Sequence, residues 1–413
     1  MATFMSDTCD CSSPEVDLFK VDFKYYKSRK PPPKYDNCIN FTFSTTNNHL
    51  VTPFKLLSPK DDLHLKLGLK TPAEWECFKH QQCPGLIFIR NPFLHGYQRY
   101  WVKQCLEEFT KKPNKTNLDG EYSSSDTFNN ILGNKELCKK LRWVTLGYQY
   151  DWTNKLYYAN EYVPFPPDLA ELTKYLAKKL EFMNFTPEAG IVNFYHMDST
   201  LGGHTDHSEY DMTAPLFSIS FGQTAVFLIG GPTKTTKPVA MFVNSGDVIV
   251  MSGSARLAYH AVPRIIPARS ELMVESFTLP GKGDFADINT TFNADGKDSC
   301  LPPKAKMAKT SAEQNSIRFK NTSSITNVKT EGTVFPSEKT KVRCEQPQEE
   351  ITKSTQSLIS CASKNITFNI HDEVRKLGTD ISWQPFEDFL KTSRINMNVR
   401  QVLPEGKTFT NIL

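Results

Sequence analysis

The sequence contains a histidine and an aspartate, His204 and Asp206, at a spacing that suits metal binding. In an extended strand, residues i and i+2 project from the same face, so both side chains can reach one point in space. A second, distant imidazole would complete the set of two histidines and one carboxylate that is typical of non-haem Fe(II) oxygenases. His260 can supply that imidazole. The alternative is that the short motif is accidental and the His204 imidazole only caps a turn.

A second histidine–acid pair follows immediately and leaves the register open. His207 and Glu209 are also two residues apart. If the segment stays extended, this pair and the first pair point to opposite faces, so only one of them can line a site. Spacing alone does not choose between them.

Near the C-terminus, one predicted strand carries four polar side chains on the same face. These are the alternate residues Arg394, Asn396, Asn398 and Arg400. A buried stripe of this kind is costly without a partner, and a dicarboxylate is a fitting one. An arginine clamp beside an open iron site indicates 2-oxoglutarate, with iron binding its C1 carboxylate and C2 ketone and arginine its C5 carboxylate. The alternative is a stripe of arginines on the surface.

Composition restricts the class of protein. The chain has 413 residues, of which 39% are hydrophobic, and this is enough for a sizeable core. Its formal net charge of +4 is weak support for a polyanionic partner. The ten cysteines form no Cys-x-x-Cys pair, which favours reduced thiols in an intracellular protein over a disulfide or zinc framework. No apolar run approaches membrane-spanning length, and neither a secretory signal nor a typical mitochondrial transit peptide is visible. The residues do not distinguish among nucleus, cytoplasm and mitochondrion.

The order of predicted elements favours a jelly roll. Short apolar runs bounded by turn residues follow one another from about residue 84 to residue 266, and such spacing is typical of two packed β-sheets. Residues 239–243 and 248–251 are predicted to form a hairpin across the turn at 244–247. Amphipathic patterns predict flanking helices at 97–109, 168–180 and 383–390. The predicted fold class is therefore mainly β with flanking helices (α+β), a double-stranded β-helix.

Changes in composition divide the chain into four parts. Residues 1–83 form an N-terminal extension, which includes a basic amphipathic helix that begins near Leu18. This helix either docks on the main body through Phe19 and its apolar neighbours or contacts an anionic partner through its lysines. Residues 84–282 are the first part of the catalytic domain, and 366–413 supply its closing helix and strand. Residues 283–365 are polar and without apolar period, which predicts a disordered insertion.

A hairpin unusually rich in aromatic residues is predicted between residues 142 and 158. Tyr148 and Tyr150 lie two residues apart and should project from the same face. The hairpin either packs its rings on the core or offers a platform on which a flat base stacks. Both interpretations are open from the residues alone.

Taken together, these motifs resemble the AlkB family of nucleic-acid dioxygenases. The resemblance covers about residues 84–281 and 382–402. It is carried by Asn193-Phe-Tyr195, Leu201-Gly-Gly-His-Thr-Asp-His-Ser-Glu209, Ser218-Ile-Ser-Phe-Gly222, Met251-Ser-Gly253, His260-Ala-Val-Pro-Arg264 and Arg394-Ile-Asn-Met-Asn-Val-Arg400. One position departs from the family pattern, since Asn398 replaces the usual threonine.

The resemblance implies a role for each matching residue. His204, Asp206 and His260 would bind iron, and Arg394, counted with them as catalytic, would hold the distal carboxylate of 2-oxoglutarate. The further residues implied at the cosubstrate are Asn193, Phe194, Tyr195, Asn396, Asn398 and Arg400, the last near the C1 end. Tyr148, Gln149 and Tyr150 match the stretch that contacts substrate, which makes the hairpin an aromatic lid.

The implied reaction is oxidative demethylation of nucleobases with Fe(II), 2-oxoglutarate and O2, which releases formaldehyde, succinate and CO2. N1-methyladenine in tRNA is the favoured substrate, with N6-methyladenine in DNA and 5-methylcytosine in tRNA as alternatives. The implied partner is thus a tRNA or DNA with methylated bases, and we expect a monomer without membrane association. The alternative hypotheses are a hydroxylase of protein side chains on the same fold and a nucleic-acid-binding protein without catalytic turnover.

Overall fold

The computed structural model describes residues 15–42, 49–56, 63–120, 131–279, 370–378 and 380–412, and two antiparallel sheets organise them. The first, here called the major sheet, has the order β1-β2-β3-β12-β9-β14-β7-β5-β4, with β6 paired to β5. The second, the minor sheet, has the order β11-β10-β13-β8. A mixed α+β fold with two such sheets is consistent with the predicted double-stranded β-helix.

The strands of the major sheet are β1 (Val51–Phe54), β2 (Glu76–His80), β3 (Cys83–Arg90), β4 (Lys115–Thr116), β5 (Trp143–Asp151), β6 (Leu156–Tyr162), β7 (Ala189–His196), β9 (Leu216–Gly222), β12 (Val248–Met251) and β14 (Ser393–Arg400). Those of the minor sheet are β8 (Leu201–His204), β10 (Thr224–Ile229), β11 (Val239–Val243) and β13 (His260–Ile266). The helices are α1 (Leu18–Lys27), α2 (Leu63–Lys66), α3 (Gln98–Lys103), α4 (Lys135–Lys140), α5 (Pro167–Lys179), α6 (Ser270–Phe277), α7 (Ile370–Lys376) and α8 (Asp380–Leu390).

Strand alternation gives the major sheet two different faces. In β9, Phe217, Ile219 and Phe221 are buried in the core beneath the helices, whereas Ser218 and Ser220 line a cavity on the side of the minor sheet. The strand β14 beside it and β7 beyond β14 alternate in the same way, with apolar residues toward the helices and mostly polar residues toward the cavity, which Ile191 of β7 also lines. The period of two therefore builds a stable helix-covered layer and a polar interior face from the same strands.

Two sequence-based expectations about strands were wrong or incomplete. The segments 239–243 and 248–251 are strands but do not pair, because β11 joins β10 in the minor sheet while β12 lies between β3 and β9. The turn between them thus carries the chain from one sheet to the other. The strands β1 and β2 were not predicted. They extend the major sheet from β3, so the sheet begins before residue 84, where the composition placed the start of the catalytic domain.

Other expectations concern particular segments. The predicted helix at 97–109 changes after α3 into a π-helical turn at 104–108. The aromatic hairpin forms from β5 and β6. The five described cysteines are all free thiols, namely Cys38, Cys77, Cys83, Cys105 and Cys138. No helix among the described residues has the length and apolar character to cross a membrane. The predicted insertion at 283–365 lies outside the described residues.

The turn between the sheets contains a fully buried carboxylate, Asp247. Its two oxygens accept hydrogen bonds from the backbone N–H groups of Asn244, at 2.7 Å, and Asn91, at 3.2 Å. Gly246 in the same turn has a φ of +84°, and a Cβ there would lie 2.3 Å from Asn91 Oδ1. Asp247 and Gly246 together fix the point where the chain changes sheet.

The pKa of Asp247 predicts a pH dependence of stability. Burial raises this pKa from 3.8 to about 7, so between these values the folded state holds a proton that the unfolded state has lost. The contribution of Asp247 to the free energy of unfolding therefore falls as pH rises from about 4 to about 7 and is constant above. Asp247→Asn removes this titration. Denaturant unfolding of both proteins should show that the free energy of unfolding of the wild type, relative to that of Asp247→Asn, decreases across this pH range. A difference in free energy that does not change with pH would contradict the prediction.

Candidate metal centre and cosubstrate cavity

Two histidines and one aspartate converge where the minor sheet opens toward the cavity. His204 ends β8, His260 begins β13, and the two are direct cross-strand partners with ring centroids 4.3 Å apart. Asp206 follows β8 by two residues, and its oxygens lie 3.7 Å from His204 Nε2 and 3.9 Å from His260 Nε2. The three ligand atoms lie within 4.8 Å of one another, and among the described residues they form the one group of histidine, cysteine or acid that could hold a metal.

The backbone orients both imidazoles for ligation through Nε2. Nδ1 of His204 lies 2.9 Å from the carbonyl oxygen of Gly202, and Nδ1 of His260 lies 3.1 Å from that of Ala258. A hydrogen bond from Nδ1–H to a carbonyl fixes the tautomer and leaves the Nε2 lone pair for a metal. Burial lowers the pKa of His260 to about 4, so that this imidazole is neutral at neutral pH.

The structure resolves the choice between the two histidine–acid pairs. Nδ1 of His207 lies 3.0 Å from Thr205 Oγ1, at the rim of the cavity. Glu209 is buried and pairs with the guanidinium of Arg256 at 2.8 Å instead of facing the two ligand histidines. His204 and Asp206 are thus the pair that joins His260.

Asp206 belongs to a buried chain of alternating charges. Arg400 donates a hydrogen bond to Asp206 Oδ2 at 2.8 Å, and its Nε lies 3.3 Å from Glu209 Oε1. Arg256 closes the chain by binding Glu209 and the backbone carbonyl of Asp206 at 2.7 Å. Although burial alone would raise it, the pKa of Asp206 is held well below its usual range by Arg400. The ligand is therefore a carboxylate with one oxygen engaged by arginine.

The cavity beside the histidines has a volume of about 320 Å³ and is lined in part by the buried guanidinium of Arg394. Arg394 donates to the carbonyl oxygens of Gln223 and Val243 and to Ser220 Oγ, at 3.0, 2.8 and 2.6 Å. No ion pair joins it to a described residue, and its buried Nε has no hydrogen-bond partner there. Burial lowers the pKa of Arg394 to about 10, which still leaves the group charged at neutral pH. A carboxylate ligand would satisfy this site.

The register of β7 on β14 sets the polar lining of the cavity. Tyr195 lies opposite Arg394, and Asn193 lies opposite Asn396. Asn398 donates from its Nδ2 to Asn396 Oδ1 at 2.8 Å, so the amides of β14 support one another. The predicted polar face of β14 is confirmed, since Arg394, Asn396, Asn398 and Arg400 all line the cavity.

Phe194 is placed differently from the sequence-based expectation at the cosubstrate. It is buried on the helix side of β7, where its ring lies 6.4 Å from that of Phe389. Its neighbours in sequence, Asn193 and Tyr195, line the cavity. Alternation in an extended strand makes it impossible for all three to face the same ligand.

The aromatic hairpin borders the cavity with only part of the predicted residues. Tyr150 lines the cavity, and its hydroxyl lies 3.1 Å from Ser208 Oγ. Tyr148 instead packs against Phe409 and Tyr162, with ring centroids 5.2 and 4.7 Å away. An irregularity in the pairing of β5 and β6 between Tyr148 and Tyr150 accompanies this difference.

Gln149 also lies away from the cavity. It is buried, donates to the carbonyl oxygen of Gly147 at 2.9 Å and accepts a hydrogen bond from Thr145. Sequence reasoning gave no cavity role to Trp152, Lys155 and Tyr157, which complete this wall. Trp152 is 47% exposed, and the sequence alone could not show this because the exposure depends on the conformation of the turn. Arg256 was also missed, because a single arginine outside any periodic pattern gives no signal.

Comparison with known proteins agrees with this geometry. The family model described as 2OG-Fe(II) oxygenase superfamily matches residues 85–291, half of the chain. The chain is 40% identical over 282 residues to nucleic acid dioxygenase ALKBH1 of Mus musculus, which covers 62% of this chain and 72% of that protein. It is 35% identical to tRNA demethylase abh1 of Schizosaccharomyces pombe, over 52% of this chain and 79% of that one.

A plant relative completes the comparison. DNA N(6)-methyladenine demethylase ALKBH1A of Arabidopsis thaliana is 34% identical over 44% of this chain and 64% of its own length. The family implies Fe(II) and 2-oxoglutarate, and the triad and the unpaired Arg394 are chemically suited to both. The chain thus belongs to the AlkB family of the 2OG-Fe(II) oxygenase superfamily and is an Fe(II)- and 2-oxoglutarate-dependent dioxygenase.

Proposed function

We propose that this dioxygenase oxidatively demethylates nucleobases in nucleic acid, with N1-methyladenine in tRNA as the favoured substrate. The observation that carries the proposal is the aromatic wall of Tyr150, Trp152 and Tyr157, which lines the same cavity as the iron triad. The similarity to relatives named as nucleic acid dioxygenase, tRNA demethylase and DNA N(6)-methyladenine demethylase supports the substrate class. DNA N6-methyladenine and tRNA 5-methylcytosine are the alternative substrates within it.

The roles of the cavity residues follow from their chemistry. His204, Asp206 and His260 bind Fe(II), while Arg394 binds the distal carboxylate of 2-oxoglutarate as a charge-assisted pair. Asn193, Tyr195, Asn396 and Arg400 orient the cosubstrate, and Asn398 holds Asn396 in place. When bound, iron and 2-oxoglutarate supply the oxidation of a substrate C–H bond by O2, which yields succinate and CO2 and, from an N-methyl group, formaldehyde.

The hairpin supplies the contact with the base. A base inside a helix cannot reach the metal, so it has to be extruded or already unpaired. Tyr150 and Trp152 have ring centroids 4.9 Å apart, and the half-exposed indole gives an extruded base a stacking partner. Lys155, exposed in the same turn, places a positive charge beside the wall. In this proposal the hairpin acts as a lid over the metal centre.

The metal assignment predicts different effects for the two neighbouring histidines. His204→Ala removes one of three iron ligands and should abolish 2-oxoglutarate turnover, whereas His207→Ala should retain most of it because His207 contacts Thr205. Succinate formation and Co(II) binding are the measurements, with folding checked by thermal melting. Equal loss in both folded variants would contradict the assignment.

The cosubstrate assignment predicts a selective effect of Arg394. Removing one partner of a buried charge pair costs about 2–5 kcal/mol, so Arg394→Ala should raise the KM for 2-oxoglutarate more than about tenfold. Arg394→Lys should not restore it, because an ammonium group lacks the planar fork of a guanidinium. Arg90→Ala is the control, since Arg90 pairs with Glu76 outside the cavity. Unchanged cosubstrate dependence in both Arg394 variants would contradict the clamp.

The substrate assignment predicts that coupled and uncoupled turnover separate. Each base–aromatic stack is worth about 1–3 kcal/mol, so Tyr150→Ala with Trp152→Ala should reduce demethylation of an N1-methyladenine stem-loop RNA by about tenfold or more. Conversion of 2-oxoglutarate to succinate without substrate should survive. Tyr158→Ala, on the same hairpin but outside the cavity, should affect neither activity. Parallel loss of both activities with a lowered Tm would show that the rings are structural.

A further inference from the structure

The strand that carries His204 has little of its own to hold it in place. β8 is an edge strand of the minor sheet and has four residues, Leu201–His204, of which two are glycines. Its only strand partner among the described residues is β13. Glycine weakens a strand because it loses more backbone entropy on folding than other residues and has no side chain to pack. A metal ligand at the end of such a strand needs support from elsewhere.

The N-terminal helix α1 packs against this strand. Phe19 is 2% exposed, and its ring lies so close to β8 that a Cβ on Gly203 would be 2.7 Å from Phe19 Cε1. The same ring faces Gly230, where a Cβ would be 3.1 Å from Cδ2. Neither glycine has a positive φ, so close approach of neighbouring atoms, and not backbone conformation, explains both. At Gly203 these atoms belong to the Phe19 ring, and at Gly230 the carbonyl oxygen of Thr236, 3.3 Å from a Cβ, adds to the ring. Phe19 thus occupies a socket formed by two glycines.

The same helix is fastened to the strand that carries His260. Arg264, on β13, donates from Nε to the carbonyl oxygen of Tyr26 at 2.9 Å and from Nη2 to that of Lys27 at 3.1 Å. These carbonyls belong to the last turn of α1, where a guanidinium satisfies groups that have no partner within the helix. At the other end of α1, the Phe19 ring lies 6.1 Å from that of Tyr259, the neighbour of His260.

We propose that α1 is a brace of the metal centre, with Phe19 as a positioning residue that keeps the two histidine-bearing strands in register for iron. Phe19 acts through Gly203 and Tyr259 and does not touch the ligand atoms. The helix lies before residue 85, where the match to the family model begins. The brace therefore comes from a segment outside the matched family domain, and it rests on the assignment of His204 and His260 as iron ligands.

Such a brace has a physical rationale. A metal site binds well only when its ligands are held near the productive geometry by packed neighbours. Without the ring, β8 would keep its hydrogen bonds to β13 but lose the contact on its Gly203 side. The ligand would then have to be ordered at the moment of binding, and part of the binding energy would be spent on that ordering.

The test compares metal affinity with general stability. Co(II) is titrated into metal-free wild type, Phe19→Ala and Phe19→Leu, with the visible band of the bound ion as signal and thermal melting in parallel. We expect Phe19→Ala to weaken Co(II) binding about tenfold, the lower end of the range for residues that support metal ligands, and Phe19→Leu to lie between. Phe185→Ala is the matched control, because that buried ring packs on Phe217 in the core beneath the helices, away from α1. It should lower Tm without weakening Co(II) binding.

A double-mutant cycle tests the socket itself. Gly203→Ala should weaken Co(II) binding in the wild-type background, where the added methyl meets Phe19, but much less in the Phe19→Ala background, where space exists. If Phe19→Ala lowers Tm while Co(II) affinity stays within about twofold, α1 contributes only ordinary packing and the proposal is overturned. If Phe19→Ala does not fold, the same criterion applies to Phe19→Leu. His260→Ala must abolish Co(II) binding; if it does not, the iron triad fails and the brace with it.

Discussion

The ion pair between Asp206 and Arg400 is the interaction on which the site depends most. Asp206 follows a strand of the minor sheet, and Arg400 ends a strand of the major sheet, so the pair joins both sheets beside the metal ligands. Glu209 and Arg256 extend the pair into a chain of alternating charges. Removing one member would leave an unpaired buried charge, which costs far more than the net stability that the intact chain provides. The chain of charges therefore serves to position Asp206 and does little to raise net stability.

The distribution of buried charge also explains why the cavity suits a doubly charged cosubstrate. Asp206, Glu209, Arg256 and Arg400 compensate one another within hydrogen-bonding distance, whereas Arg394 has only neutral acceptors among the described residues. Fe(II) and 2-oxoglutarate carry opposite charges of equal size, so their joint arrival leaves the total charge of the cavity unchanged. In the proposed assignment, the cosubstrate would also provide an anionic partner for Arg394. That partner would offset the free energy that burial of this guanidinium costs the protein alone.

The sequence predicted those parts of the site that depend on local periodicity. Strand alternation was sufficient for the polar face of β14. The spacing of two residues offered both His204 with Asp206 and His207 with Glu209, and only the family resemblance favoured the first pair. The prediction failed at Phe194, which was assigned to the cosubstrate because it belongs to a matching motif. Strand alternation already places Phe194 on the face opposite to Asn193 and Tyr195. The separation of β11 from β12 could not have been predicted, because a turn signal is the same whether the next strand pairs locally or joins another sheet.

Hydrogen bonds from the aromatic hairpin attach it to the segment that carries the metal ligand Asp206. The Tyr157 hydroxyl donates to Glu209 at 3.1 Å, so the hairpin is anchored to the same charge chain that holds Asp206. Tyr150 adds a second attachment at Ser208, between the ligand Asp206 and Glu209. In the proposed function, a base stacked on this wall would be positioned against the residues that flank the metal ligand. The proposed reaction at a methyl group would require a constant distance between base and metal, and the two hydrogen bonds of 3.1 Å hold the hairpin against the segment that carries Asp206.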